Sequence, residues 1–142
     1  MDDKEPKDGQ NQPPPRVLVL EDDADTLAFL GRLLAVLHVE SVPTATCVAA
    51  RYAAKTLGSF DLLLSDRSLA DGDGVELALE LKQKHECAVV IMSGYDAPPE
   101  GKPQGIDLWL VKPVSLAQLT QAIQSLVQPG NLPDGPNGPS VR

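Results

Sequence analysis

The chain has 142 residues, a net charge of −8 and a hydrophobic fraction of 42%, which suits one domain with a core of its own. The acidic balance argues against a protein that grips nucleic-acid backbones, which needs clustered Lys and Arg, and suits basic partner patches or bound cations. No apolar run approaches the roughly 18 residues of a membrane span and no signal-peptide pattern opens the chain, so the expected setting is cytoplasmic, with Cys47 and Cys87 reduced and structural.

Residues 1–15 are polar and end in Pro13-Pro14-Pro15; they read as a disordered tail or linker. Val17-Leu18-Val19-Leu20 is an unbroken apolar run, as expected of a strand buried on both faces. A helix follows, with Leu27, Leu30, Leu34 and Leu37 three, four and three residues apart and Asp23 or Asp25 as its cap. Val39 to Thr44 is a weak strand that Pro43 places at a sheet edge or strand end. Residues 46–57 are Ala-rich and read as a second helix.

Asp61 to Ser65 gives a third strand, and a loop from Asp66 to Asp73 leads to a helix ending near His85, with Asp73 and Glu76 placed for a capping-box-like start. Ala88 to Met92 and Leu108 to Val111 are the fourth and fifth strands. The last helix opens at Ser115, with Gln118 at the capping-box position and Val114 able to staple Leu119. Residues 128–142, rich in Pro and Gly, read as a second disordered tail, which leaves 16–127 as the folded domain. His38 and His85 read as solvated helix-end residues, and Asp71-Gly72-Asp73-Gly74 as a turn rather than a calcium loop. Alternation of strand and helix implies an α/β fold: a doubly wound, flavodoxin-like parallel sheet of five strands in the order 2-1-3-4-5.

In such sheets ligands bind outside the carboxyl ends of the strands. There the sequence puts Glu21-Asp22-Asp23 after strand one, Asp66 after strand three, Ser93-Gly94 after strand four and Lys112-Pro113 after strand five. Clustered carboxylates repel one another and call for a cation; Mg²⁺ takes carboxylates, waters and phosphate oxygens. Asp66 could then attack a phosphoryl group, with Lys112 facing the transferring oxygens and Ser93 moving inward to donate a hydrogen bond.

The four stretches Val17–Asp23, Phe60–Asp66, Val90–Gly94 and Leu110–Pro113 resemble the response-regulator receiver family of two-component signalling, and the resemblance spans about residues 16–127. It implies that Asp66 is the phosphoacceptor, that Asp22, Asp66 and the carbonyl of Ser68 ligate Mg²⁺, and that Glu21 acts through a bound water. It implies Ser93 as the switch hydroxyl, Lys112 as the phosphate-contacting lysine before a cis proline bond, and Trp109 at the position of the aromatic that turns inward on activation. The implied phosphodonor is a histidine kinase or histidine phosphotransfer protein. The chain would be a stand-alone regulator or the carboxy-terminal receiver of a hybrid histidine kinase. It would catalyse only its own phosphorylation and dephosphorylation and signal through an unidentified protein partner, with no membrane contact of its own.

Three positions depart from the family pattern. Ala70 stands where many members carry proline, which implies a more mobile loop, and Trp109 is larger than the usual Tyr or Phe. Between Tyr95 and Asp107, Pro98, Pro99 and Pro103 occupy the place of the fourth helix. Each proline inside a helix costs roughly 3 kcal/mol, so a loop or one irregular turn is expected there, and with it the loss of the family's usual dimerisation face. Two other classes compete: an interaction module that keeps the fold without phosphorylation, and a haloacid-dehalogenase-type phosphatase, suggested by Asp23-Ala24-Asp25.

Overall fold

The computed structural model describes residues 13–127; the two proposed tails lie outside them, apart from Pro13-Pro14-Pro15. Five strands form one parallel sheet: β1 (Arg16–Leu20), β2 (Glu40–Thr44), β3 (Leu62–Asp66), β6 (Ala88–Ser93) and β7 (Leu108–Val111). Two short strands, β4 (Ser68–Leu69) and β5 (Gly72–Asp73), pair antiparallel within the loop after β3. The sheet order is β2-β1-β3-β6-β7, which is the expected 2-1-3-4-5 arrangement once that small hairpin is set aside.

Side chains alternate between the two faces of the sheet. Leu18, Leu20, Leu63, Val89 and Ile91 meet helices α2 (Cys47–Leu57) and α3 (Gly74–His85) through Ala50, Ala54, Leu77, Ala78 and Leu81. Val17, Val19, Leu62, Leu64, Val90 and Met92 meet α1 (Ala24–Val36) and α4 (Leu116–Leu126) through Leu30, Leu34, Leu119, Ala122 and Ile123. The central strands read as continuous apolar runs because both of their faces are covered.

Local chemistry sets the helix starts. Asp23 caps α1 by accepting from Thr26 N–H at 2.9 Å, which settles the choice between Asp23 and Asp25. Thr46 caps α2, Asp73 caps α3, and Ser115 with Gln118 forms the full reciprocal capping box of α4. Pro43 sits on the edge strand β2, where its missing N–H disturbs the ladder least.

The stretch from Tyr95 to Asp107 contains no helix. It makes two turns closed by Gly101 N–H to Pro98 C=O at 2.8 Å and Ile106 N–H to Pro103 C=O at 3.2 Å. Gly101 and Gly105 both adopt positive φ, at 106° and 95°. Lys82 Nζ fastens the far end of this segment, donating to the Gly105 carbonyl and the Asp107 carboxylate at 2.8 Å each.

Three sequence expectations change. The Asp66–Asp73 loop carries the β4–β5 hairpin, whose two-residue strands are too short to leave a periodic signal. Asp61 precedes β3 instead of starting it; its carboxylate accepts the Arg16 N–H at 2.8 Å. His85 is half-buried rather than solvated: its ring packs on Phe60 with centroids 5.3 Å apart, and its Nδ1 lies 3.2 Å from the Gly58 carbonyl.

Candidate functional site

The parallel register brings the strand ends together. Leu20 pairs with Ser65, Asp66 with Met92, and Ser93 with Val111, so Glu21, Asp66, Ser93 and Lys112 emerge on one rim. Of these, Glu21, Asp66 and Ser93 are buried. Lys112 is half-buried and follows a strand whose end is tied by its own N–H to the Ser93 carbonyl at 2.7 Å. The Lys112–Pro113 peptide is cis, as the resemblance implied.

The three acids after β1 divide the work. Asp23 is taken up by capping α1. Asp22 is exposed. Glu21 turns inward to 1% exposure; its Oε2 accepts the Asp23 N–H at 3.0 Å. Its Oε1 lies 3.0 Å from Lys112 Nζ, yet off the line that a hydrogen bond needs, so this buried atom is left without a hydrogen-bond partner. Lys112 Nζ also lies against Asp66 Oδ1, which makes one ammonium the shared counter-charge of two buried carboxylates.

The electrostatics follow from that crowding. Burial, together with the neighbouring Glu21 carboxylate, pushes Asp66 up to about 6 against the opposing pull of Lys112. Burial alone would lower Lys112, but its contacts with Asp66 and Glu21 outweigh this and raise it. A carboxylate placed among acids with one cation for two negative charges calls for more positive charge.

The donor set fits a hard divalent ion. One oxygen each from Glu21, Asp22 and Asp66 lies within 4.8 Å of the others. All three donors are carboxylate oxygens, the chemistry Mg²⁺ prefers, and the orphaned Glu21 Oε1 points to a missing positive or hydrogen-bonding partner. Ser68, the remaining expected ligand, opens β4 two residues beyond Asp66.

Several supports of Asp66 were not singled out by sequence reasoning. Ser65, fully buried, donates its hydroxyl to the Asp66 carbonyl at 2.8 Å. Gly74 backs the same carbonyl so closely that a Cβ there would overlap it, and Gly74 N–H donates to the Arg67 carbonyl at 2.7 Å. Arg67 N–H donates to the Met92 carbonyl at 2.8 Å. Farther along the loop, the Asp71 carboxylate accepts from Cys47 N–H at 2.8 Å and Val48 N–H at 3.2 Å, clamping the loop to the start of α2. The spacing Asp71-Gly72-Asp73 was legible as a turn, but the distant helix it caps was not.

Around Ser93 the contacts run outward. Its Oγ accepts the Tyr95 N–H at 3.0 Å. The Tyr95 carbonyl in turn accepts the Trp109 indole N–H at 2.9 Å. Trp109 is half-buried, and the Arg67 guanidinium stands 5.7 Å over its ring.

This arrangement has a known counterpart. The model of the response regulator receiver domain matches residues 17–124. The chain belongs to the response regulator receiver domain family. Among curated proteins, the transcriptional regulatory protein PrrA of Mycobacterium tuberculosis is 33% identical over 118 residues, covering 80% of this chain and 50% of PrrA. The transcriptional regulatory protein BasR of Escherichia coli K12 is 31% identical over 122 residues, covering 82% of this chain and 54% of BasR. The chain thus spans about half the length of the curated relatives it matches. A CheY-like receiver domain from Methylobacillus flagellatus superposes with a TM-score of 0.72 at 26% identity, covering 80% of this chain and 98% of the other. One from Methanospirillum hungatei does so with 0.70 at 26%, covering 79% and 92%. The receiver domain is therefore the reading that stands, over the phosphatase and the dinucleotide enzyme. Asp23, on which the phosphatase reading leaned, serves as a helix cap. Among the described residues no helix is long and apolar enough to cross a membrane.

Proposed function

We propose that Asp66 accepts a phosphoryl group from a phosphohistidine and that the acyl phosphate so formed switches the domain's contacts with a protein partner. The observation that carries this reading is the buried Asp66 carboxylate set between Lys112 and the Glu21–Asp22 acids. An Asp66 carboxylate oxygen attacks phosphorus as the P–N bond breaks, and the leaving imidazole nitrogen keeps the bonding electron pair. Lys112 Nζ donates to the phosphoryl oxygens, its hold on Asp66 Oδ1 giving way to them. Ser93, with its hydroxyl proton not committed to Tyr95, donates to another of those oxygens.

Asp22, Asp66 and the Ser68 carbonyl would hold Mg²⁺ directly, and Glu21 through a water, consistent with the Glu21 oxygen that lacks a partner. Bound there, Mg²⁺ supplies charge neutralisation to the transferring oxygens. Residues 16–127 form the receiver unit on this reading. The donor is a histidine kinase, in a separate or a hybrid chain, or a phosphotransfer protein. The net charge of −8 favours protein output over nucleic-acid contact by this domain, and a cytoplasmic setting follows from the donor. The domain catalyses only its own phosphorylation and the hydrolysis that ends it.

The test pairs calorimetric Mg²⁺ titration with intact-mass analysis after incubation with Mg²⁺ and phosphoramidate, whose P–N bond stands in for that of phosphohistidine. The expected result is Mg²⁺ binding and one phosphoryl adduct in the parent chain, with no adduct in Asp66→Asn. A parent chain that neither binds Mg²⁺ nor gains the adduct overturns the reading.

A further inference from the structure

The residues around Asp66 close a ring. Asp66 is followed by Arg67, whose guanidinium stands over the Trp109 indole at 5.7 Å. The indole N–H donates to the Tyr95 carbonyl at 2.9 Å, and the Tyr95 N–H donates to Ser93 Oγ at 3.0 Å. Ser93 returns the path to Asp66 on the same rim of the sheet. Two independent contacts therefore fix the indole: a hydrogen bond that moves with the Ser93–Tyr95 loop, and a cation–π contact that moves with the loop after Asp66.

The two holds differ in what they respond to. A displacement of Ser93 toward Asp66 carries the Tyr95 backbone with it, because the Tyr95 N–H is bonded to the Ser93 side chain. The indole hydrogen bond must then follow or break. The guanidinium is under no such pull: the Arg67 backbone is pinned by its own N–H to Met92 C=O and by its carbonyl to Gly74 N–H, at 2.8 and 2.7 Å. Its side chain is free at the surface. Arg67 thus opposes any departure of the ring from its half-buried position.

We infer that Arg67 is a positioning residue that holds Trp109 in place through the guanidinium–indole contact, and so sets how readily the domain passes from its resting to its activated arrangement. The inference rests on the reading of Asp66 as the phosphoacceptor. Cation–π contacts at exposed sites bias an equilibrium by roughly two- to fivefold. Removing the contact lowers the cost of the transition by that factor, and any ligand that favours the activated state binds tighter to the same degree.

The experiment compares the parent chain with Arg67→Ala and Arg67→Lys in Mg²⁺, titrating beryllofluoride and following acrylamide quenching of Trp109, the only tryptophan in the chain. Circular dichroism melts confirm that the exposed substitutions leave the fold intact. Arg67→Ala is expected to show altered quenching before beryllofluoride is added, shifted toward the saturated value. Its half-saturating beryllofluoride concentration should fall by roughly two- to fivefold. Arg67→Lys, which keeps a cation over the ring, should lie between that and the parent. If Arg67→Ala matches the parent in both readouts, or if beryllofluoride binds by calorimetry without moving the indole in any variant, Arg67 is no such hold. A parent chain that fails to bind beryllofluoride at all and gains no phosphoryl adduct instead sinks the Asp66 assignment, and this inference with it.

Discussion

Gly74 lies directly against the carbonyl of Asp66, with no room for a side chain between them. The first residue of α3 thereby sets the height at which the strand-end carboxylate is presented, and glycine is required there by space rather than by backbone angle. Gly74→Ala must displace the Asp66 backbone or the start of α3. The expected cost is about 2 kcal/mol or more in urea unfolding, accompanied by slower phosphoryl uptake from phosphoramidate. Parent-like stability would show that the helix start can retreat without strain.

Asp66 also strains the resting domain electrostatically. Its carboxyl is raised from 3.8 to about 6, so it ionises less readily in the fold than in the unfolded chain. The native state therefore loses stability as pH climbs from about 4 through 6 and carries the full penalty at neutral pH. Asp66→Asn should accordingly be more stable than the parent in chelator at pH 7, by on the order of 1–3 kcal/mol. It should also lose most of the stabilisation that Mg²⁺ gives the parent. An Asp66→Asn protein less stable than the parent in chelator would mean that the Lys112 contact outweighs the crowding.

Asp71 offers a pH effect of opposite sign. Backbone N–H donation from Cys47, and then from Val48, holds its carboxyl below the usual 3.8. A depressed folded value gives stability that is present above the unfolded value and is lost as pH falls through the folded one. Asp71→Asn should thus be less stable than the parent at neutral pH, and the two curves should converge below about pH 4. Parallel curves throughout the acid range would show that the cap does not depend on charge.

The cysteines should be inert in the native state. Burial pushes the Cys87 thiol up to about 11, and burial followed by the Asp71 carboxylate raises Cys47. Both are free and buried. At pH 8 about one Cys87 in a thousand would be thiolate, and that one is out of reach of reagent. A thiol-reactive disulfide should find no group in the folded protein and both in denaturant. Rapid reaction of the native chain would reveal opening of the α2 or β6 side of the core.

What could be read from sequence was local or repetitive. Ser115 and Gln118 stand three residues apart and cap the helix between them, so their bond is written in the spacing. Pro98, Pro99 and Pro103 forbid a helix through covalent geometry alone, and the turns at Gly101 and Gly105 follow. The rim of Glu21, Asp66, Ser93 and Lys112 was legible because each residue ends an apolar strand and parallel strands align their ends. Contacts made across the fold left no such trace. Asp71 caps a helix whose start lies 24 residues earlier. Lys82 reaches Asp107 across 25 residues, and Arg67 meets Trp109 through packing. His85 misled for the same reason: its partners, Phe60 and Gly58, come from the far end of α2 and the following loop.

The stretch that replaces the fourth helix has a mechanical consequence. A helix ten or so residues long transmits a push at one end to the other as a stiff rod. Here, two turns separated by prolines join Tyr95 to Asp107, and the far end is anchored to α3 by Lys82. A shove delivered at Ser93 dissipates in the first few residues of that hinged path. Whatever reads this domain must therefore listen close to the strand ends, beside Tyr95 and Trp109, where the displacement has not yet been damped.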